Sequence, residues 1–124
     1  MTTDKDMWAL PSVYAGARSP EGVSVTIRRG STELNLVDVT EVRLRVRHEA
    51  SGQERVWTTA VVQRWVDKLI VRHEFDDDGT EVRETGRYRI LPELVYTVAG
   101  PTPEDPPVVV GVRRTNPFFL AVRQ

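Results

Sequence analysis

The sequence contains no cysteine and only two histidines among its 124 residues. Without cysteine the chain has no disulfide, no thiolate metal ligand and no cysteine nucleophile. The two histidines, His48 and His73, alternate with charged residues and are predicted to be solvated or half-buried strand residues. No Gly-x-Ser-x-Gly nucleophile turn is present either. We therefore expect no cofactor, no metal and no enzymatic activity.

Long apolar runs and a strong charge bias are also missing. No stretch approaches the roughly 20 apolar residues that a membrane helix needs. The polar start of the chain, residues 1–6, lacks the apolar segment of a secretion signal. The 17 basic and 18 acidic residues give a net charge of −1, whereas dedicated nucleic-acid binders are usually strongly basic. We expect neither a membrane nor a nucleic acid as a partner.

Residues with β-branched side chains are abundant instead, since Val, Thr and Ile account for 35 of the 124 residues. These side chains lose rotamer freedom in a helix and pack well on a pleated sheet. Eight prolines and eight glycines add frequent chain breaks. Alternating apolar and polar residues predict an all-β chain, with strands at 23–29, 34–36, 40–49, 55–64, 68–75, 81–84, 86–96, 108–114 and 118–122.

Three segments of this pattern leave other structures open. Residues 59–71 carry apolar side chains near helical spacing, so a helix is the alternative there. Pro92 cannot donate to a sheet ladder, so the strand at 86–96 is predicted to be broken or bulged at that position. The run Asp76-Asp-Asp-Gly79 is predicted to be a hairpin tip, with a weak surface calcium site as the alternative.

The first 22 residues show no sustained period, and we divide the chain into an extended N-terminal arm, residues 1–22, and one domain, residues 23–124. Aromatic side chains lie in both the arm and the last strand. Phe118 and Phe119 are adjacent, so on a strand they point to opposite faces and one of them needs a cover. Because aromatics often anchor interfaces, we predict a subunit contact that includes Trp8, Leu10, Tyr14, Phe118 and Phe119.

The strand at 40–49 places apolar residues on one face and Arg43, Arg45 and Arg47 on the other. One interpretation is a solvated face whose arginines pair across strands with Glu54 or with the acidic tip at 76–78. The other is a contact with an acidic protein surface or a glycan. The sequence leaves both open, and we count the three arginines among the candidate interface residues.

A tyrosine corner is predicted in the segment that contains Glu84, Gly86, Tyr88 and Ile90. In immunoglobulin-like sandwiches a Tyr at this corner, two residues before a core position, bonds back to the backbone. Ile90 would stand where antibody domains have their second cysteine, and Trp57 would be the buried Trp. Leu44 or Val46 would then replace the first cysteine. The strand count and this corner predict an immunoglobulin-like antiparallel β-sandwich of about 7–9 strands, and a small closed barrel is the alternative.

From residue 23 to residue 122 the chain resembles the immunoglobulin-like domains of tailed-bacteriophage baseplate upper proteins and of phage decoration or tail accessory proteins. The resemblance is one of pattern: Gly30 after the first strand, Asp38-Val-Thr40 before the arginine strand, the Asp76–Gly79 tip, the corner around Tyr88, and Asn116-Pro-Phe118.

This resemblance implies a structural subunit of a virion, assembled in the host cytoplasm, that contacts other virion proteins and copies of itself. No small-molecule ligand is expected. The alternative is a binding module for carbohydrate or a host surface, although Trp57 and Trp65 make no obvious aromatic row.

Overall fold

The computed structural model describes residues 11–31, 36–98, 102, 104 and 108–124. Within these residues the chain forms nine strands and two short 3₁₀ turns, and the prediction of an all-β chain is confirmed. The strands are β1 (Ser12–Tyr14), β2 (Gly22–Arg28), β3 (Val39–His48), β4 (Glu54–Thr58), β5 (Ala60–Arg64), β6 (Lys68–Glu74), β7 (Gly86–Val98), β8 (Val108–Arg114) and β9 (Phe118–Arg123). The 3₁₀ turns are Arg29–Ser31 and Leu36–Asp38.

Two sheets pack face to face as a sandwich. The six-stranded sheet has the order β1-β9-β7-β3-β4, and β8 pairs with the far half of β7. The three-stranded sheet has the order β2-β6-β5. In immunoglobulin-like domains strands B, E and D share one sheet and strands C, F and G share the other. The strand order here matches, with β2, β6 and β5 in the first set and β3, β7 and β9 in the second, so the predicted fold is confirmed.

The sandwich is antiparallel throughout its described pairs except at one edge, where β1 runs parallel to β9. The described part of the predicted arm consists of β1 and two turns, and β1 belongs to the six-stranded sheet. The Ala15 N–H donates to the carbonyl of Arg123 at 2.6 Å, and Ala17 is buried in the core. The boundary predicted at residue 22 does not separate an independent arm. Trp8 and Leu10 lie outside the described residues.

The core forms where β2, β3 and β6 bury about every second side chain. Val23, Val25 and Ile27 are buried on β2, and Leu44 and Val46 are buried on β3, as the period of two requires. The largest side chains that are essentially inaccessible are Trp57, Phe75, Leu36, Leu44, Leu69, Ile90, Leu94 and Leu120. Each fully buried aliphatic or aromatic side chain contributes roughly 1.5–3 kcal/mol relative to exposure, so this layer dominates the stability of the domain.

The single strand predicted over 55–64 is wrong, because the chain changes sheets in the middle of it. β4 pairs with β3 in the six-stranded sheet, whereas β5 pairs with β6 in the other. The break falls at Thr59, whose hydroxyl donates to the carbonyl of Val42 at 2.7 Å. Threonine is common in strands, and its hydroxyl can also bond to the backbone where a strand breaks. The composition of this segment therefore did not predict the change of sheet at Thr59.

One further predicted strand is wrong, and another falls mostly outside the described residues. Residues 81–84 form a loop and not an edge strand, and Leu36 lies in a 3₁₀ turn; Leu34 lies outside the described residues. The loop is held from inside, because Val82 is fully buried and its carbonyl accepts from the Gly16 N–H at 3.0 Å. Val82, the one apolar residue of this segment, thus anchors a loop to the core.

Strand β7 runs without a break through Pro92, contrary to the prediction. On this side of β7, β9 pairs as far as Ile90 and β8 begins opposite Glu93. Pro92 therefore faces the gap between β8 and β9, where its carbonyl accepts from the Thr115 N–H at 3.1 Å. No ladder bond requires the N–H that proline lacks, so the strand tolerates it.

Both histidines are buried, which corrects the prediction that they are solvated or half-buried. His48 and His73 are each 7% exposed. The His73 ring stacks on Trp57 at 4.7 Å, and its nitrogens contact the Thr58 carbonyl at 2.7 Å and the Glu81 carboxylate at 2.8 Å. These contacts anchor the β6–β7 loop to both sheets.

Candidate functional site

The predicted tyrosine corner is present. The Tyr88 hydroxyl donates to the backbone carbonyl of Glu84 at 2.7 Å, and both Tyr88 and Ile90 are buried. Gly86 has a φ of 121°, a region that favours glycine, and a Cβ there would lie 3.3 Å from His48 Nε2. Burial raises the pKa of Tyr88, and the nearby Glu84 charge adds to this. The corner fixes the entry into β7.

Trp57 is buried as predicted, with 2% of its surface exposed, but its place in the fold differs from the prediction. It lies on β4, opposite Leu44 of β3, in the six-stranded sheet. Val46 is opposite Ile90 in the same sheet, so neither Leu44 nor Val46 can take the place of a cysteine facing Ile90 across the sandwich. The sequence interpretation placed the residue that faces Ile90 on β3, whereas β2 is the earlier strand that lies in the opposite sheet.

The aromatic side chains of the predicted subunit contact are partly covered within the chain. Phe118 packs against the core, and Phe119 lies on the outer face with the Arg87 guanidinium 4.8 Å from its ring. They point to opposite faces of β9, as predicted. Tyr14 is 70% exposed. An interface at these residues stays a prediction.

One cleft brings together groups that resemble a hydrolytic triad. A cavity of about 240 Å³ is lined by His48, Glu84 and Tyr88, among others. Ser51 Oγ lies 2.8 Å from His48 Nδ1, and Glu84 Oε2 lies 3.0 Å from the same nitrogen. The other ring nitrogen contacts the Thr85 carbonyl at 2.9 Å. A triad needs the nucleophile and the orienting acid on opposite nitrogens, so this cluster has the geometry of a structural clamp.

The outer face of the six-stranded sheet carries the most distinctive chemistry. Cross-strand register brings together Arg43, Arg45 and Arg47 of β3, Arg89 of β7 and Arg114 of β8. We call these five side chains the arginine face. Sequence reasoning found the three residues of β3 and missed the other two, although the alternation of Arg87 and Arg89 in a predicted strand was a usable signal.

Glu93 is buried within the arginine face and is shared by two arginines. Arg45 Nε lies 2.7 Å from one carboxylate oxygen and Arg114 Nε lies 2.8 Å from the other. The Glu93 side chain is only 5% exposed. Burial alone would raise the pKa of Glu93, but the hydrogen bonds from Arg114 and Arg45 outweigh it and hold the pKa below its ordinary value. Glu93 is therefore a fixed anion between two cations.

Arg43 has a closer partner than the sequence suggested. Its Nε lies 3.1 Å from Glu41 on the same strand, and the hydrogen bond to Glu41 raises the pKa of Arg43. Neither Arg43 nor Arg45 pairs with Glu54 or with the tip at 76–78, which corrects that prediction. Register explains the difference, because Glu93 of β7 lies opposite Arg43 while Glu54 lies opposite Arg47.

Arg47 and Arg89 are directly opposite each other on β3 and β7, so their Cβ atoms are roughly 5 Å apart. Among the described residues neither guanidinium has a hydrogen bond or an ion pair. Both side chains are exposed and line a concavity of about 430 Å³ whose apolar members are Val46, Val56 and Leu91 and whose acidic member is Glu54. Like charges directly opposite each other destabilise a sheet, and no ion pair among the described residues offsets this cost, although Glu54 is opposite Arg47 on β4.

A second exposed surface lies along β5 and the turn that follows it. Val61, Val62, Trp65 and Val66 are 43–62% exposed. The Lys68 ammonium lies 4.7 Å from the centre of the Trp65 ring and covers one of its faces. β5 is an edge strand of the three-stranded sheet.

The described residues contain no group of three or more acidic, histidine or cysteine side chains arranged to hold a metal ion. At the tip, the Asp78 carboxylate accepts from the Thr80 backbone N–H at 3.0 Å and from its hydroxyl at 2.8 Å. These bonds lower the pKa of Asp78. In the same part of the chain, no helix has the length and apolar character to cross a membrane.

Comparison with protein families, with curated proteins and with solved structures finds no match to this chain. The fold and the site geometry define a β-sandwich with an arginine-rich outer face.

Proposed function

We propose that this protein is a structural binding module that docks through its arginine face on an acidic surface of a larger assembly. The observation that carries the proposal is the Arg47–Arg89 pair, two exposed cations that lie opposite each other and form no ion pair among the described residues, although Glu54 is opposite Arg47 on β4. The Arg45–Glu93–Arg114 arrangement beside it supports a carboxylate as the missing group.

We propose further that the assembly is the particle of a tailed bacteriophage or a phage-derived particle. The chain would be a decoration, baseplate or tail accessory subunit and would reside in the virion. The resemblance of residues 23–122 to such domains motivates this step, and the immunoglobulin-like strand order is compatible with it. Fold alone does not define a function, so the argument depends on the arginine face.

The same geometry gives less support to the other function classes. The cleft at His48 places Ser51 and Glu84 on one ring nitrogen, which does not suit nucleophilic catalysis. A carbohydrate-binding platform would need exposed aromatic rings, whereas Trp57 is buried and Lys68 covers one face of Trp65. The geometry therefore favours docking on an acidic surface over catalysis and over carbohydrate binding.

A binding measurement with a defined acidic probe tests the proposal. The purified protein is titrated with a fluorescent poly-glutamate peptide at low and at high ionic strength. We expect saturable binding that weakens with salt, because exposed ion pairs are screened, and that is lost in the double variant Arg47→Glu/Arg89→Glu.

The matched control is Arg18→Glu/Arg29→Glu, which makes the same change in net charge at exposed arginines away from the arginine face. Equal loss of binding in both double variants would refute a specific site, since it would show that net charge alone decides binding. The virion step has its own test, mass spectrometry of purified particles from cells that express the chain. Absence of its peptides from those particles would refute it.

A further inference from the structure

We infer that the anion that fits between Arg47 and Arg89 is supplied by the acidic tip, residues 76–78, of a second copy of this chain. This inference rests on the proposed function, because it names the partner of the arginine face. The contact would make the protein associate head to tail.

The tip has the chemistry that the arginine pair lacks. Asp76, Asp77 and Asp78 are all exposed. Asp78 is engaged by Thr80, whereas the Asp76 and Asp77 carboxylates have no partner among the described residues. The same chain therefore carries two arginines and two aspartates whose side chains form no ion pair among the described residues.

The tip is also held in a fixed conformation, which lowers the entropy lost on binding. The Asp76 N–H donates to Glu81 at 2.6 Å, and Glu81 is anchored by the buried ring of His73 at 2.8 Å. Gly79 has a φ of 69° and packs so closely on Gly16 that a Cβ would lie 2.7 Å from the Gly16 carbonyl oxygen. The loop thus presents its first two carboxylates from a rigid base.

The chain itself shows how an arginine pair accepts such a carboxylate. Glu93 lies between Arg45 and Arg114, with one oxygen at 2.7 Å from the first and the other at 2.8 Å from the second. An aspartate of a second copy would make the same type of bridge between Arg47 and Arg89 and would replace their repulsion with attraction. Leu91 and Val56 line the concavity, so water is partly excluded and the ion pairs are strengthened.

The arginine face and the acidic tip are different surfaces, so the contact is heterologous. Such contacts close into rings or continue as filaments. A net charge of −1 adds little general repulsion between copies. This arrangement suits a subunit present in many copies.

The test uses light scattering coupled to size exclusion over a range of protein concentrations at low salt. We expect the full-length protein to form oligomers that dissociate as salt is raised. The face variant Arg47→Glu/Arg89→Glu and the tip variant Asp76→Lys/Asp77→Lys should each be monomeric, with self-association weakened about tenfold or more. A 1:1 mixture of the two variants should again form oligomers in which the variants alternate, because the wild-type tip of one meets the wild-type face of the other and the reversed tip meets the reversed face.

Circular dichroism melts establish that both variants are folded, and Arg18→Glu/Arg29→Glu serves as the charge-matched control that should still associate. A wild-type protein that stays monomeric at all concentrations in low salt would overturn the inference. So would oligomers that survive both reversals, since the contact would then lie elsewhere, for example along β5. If the monomer still binds poly-glutamate, the arginine face keeps its proposed function and only the second-copy partner is refuted.

Discussion

Removal of one oxygen atom from Tyr88 gives a direct test of the corner that positions β7. Tyr88→Phe deletes the hydroxyl that donates to the Glu84 carbonyl at 2.7 Å, while the ring, which is 5% exposed, keeps its packing. A hydrogen bond of this kind contributes about 0.5–1.5 kcal/mol, and a buried acceptor left without a donor costs about 1–3 kcal/mol. Because Glu84 is exposed and water can reach its carbonyl, we expect a loss of about 1 kcal/mol.

Urea denaturation followed by tryptophan fluorescence measures this loss, since Trp57 is buried in the native state. The corresponding fall in Tm is roughly 4 °C for a domain of this size. Tyr14→Phe is the matched control, because Tyr14 is 70% exposed, and its free energy of unfolding should change by less than about 0.5 kcal/mol. Equal values for the two variants would refute a stabilising role for the corner.

The same variant has a pH signature. Burial, followed by the Glu84 charge, raises the pKa of Tyr88 in the folded protein, so the unfolded chain releases this proton first, near its ordinary pKa of about 10. The contribution of the neutral phenol is complete below that pH and is lost as the pH rises through the folded pKa. The stability difference between wild type and Tyr88→Phe should therefore shrink in alkaline solution, and a constant difference would contradict this assignment.

Three further variants test other parts of the structure. Because two arginines lower the pKa of Glu93, its stabilising effect is present above the ordinary carboxyl pKa and is lost in acid. The stability advantage of the wild type over Glu93→Gln in urea titrations should therefore decline as the pH falls below about 4. Gly79→Ala should destabilise by about 2 kcal/mol or more and clearly exceed Gly52→Ala in chemical denaturation, since both have positive φ but only Gly79 adds a 2.7 Å contact with Gly16. Arg89→Gln should leave stability unchanged or raise it by about 0.2–1 kcal/mol in the same assay, and a clear loss would show that Arg89 supports the fold.

Features that depend on neighbours in sequence could be predicted without the structure. The corner links Tyr88 to a residue four positions earlier, and the limits of β2, β3 and β6 differ from the prediction by about one residue. The alternation of Arg43, Arg45 and Arg47 also correctly placed these residues on the outer side of a strand.

Features that depend on strand order could not be predicted in this way. The assignment of Trp57 failed because β4 pairs with β3 in one sheet, so Trp57 lies beside Leu44 instead of facing it across the sandwich, and no local signal in the sequence specifies that pairing. Glu93 reaches Arg45 across 48 positions, and a shift of the β3–β7 register by one residue would have placed it on the opposite face. The sequence therefore identified three of the arginines of the site, but it did not predict which side chains lie next to each other across the strands.

The arrangement separates a binding face from a merely solvated one. On a solvated sheet, opposite charges placed across strands would stabilise the fold, and Glu93 between Arg45 and Arg114 is such a case. Arg47 and Arg89 break this pattern. Arg47 is two residues from Arg45 on β3 and Arg89 is four residues from Glu93 on β7, and an acidic side chain at 89 would have lain opposite Arg47. If the pair is retained for binding, substitution of Arg89 must change two quantities in opposite directions, with stability held or raised and affinity for the acidic probe reduced. A fall in both stability and affinity, or a rise in both, would show that the arginine face is an ordinary solvated surface.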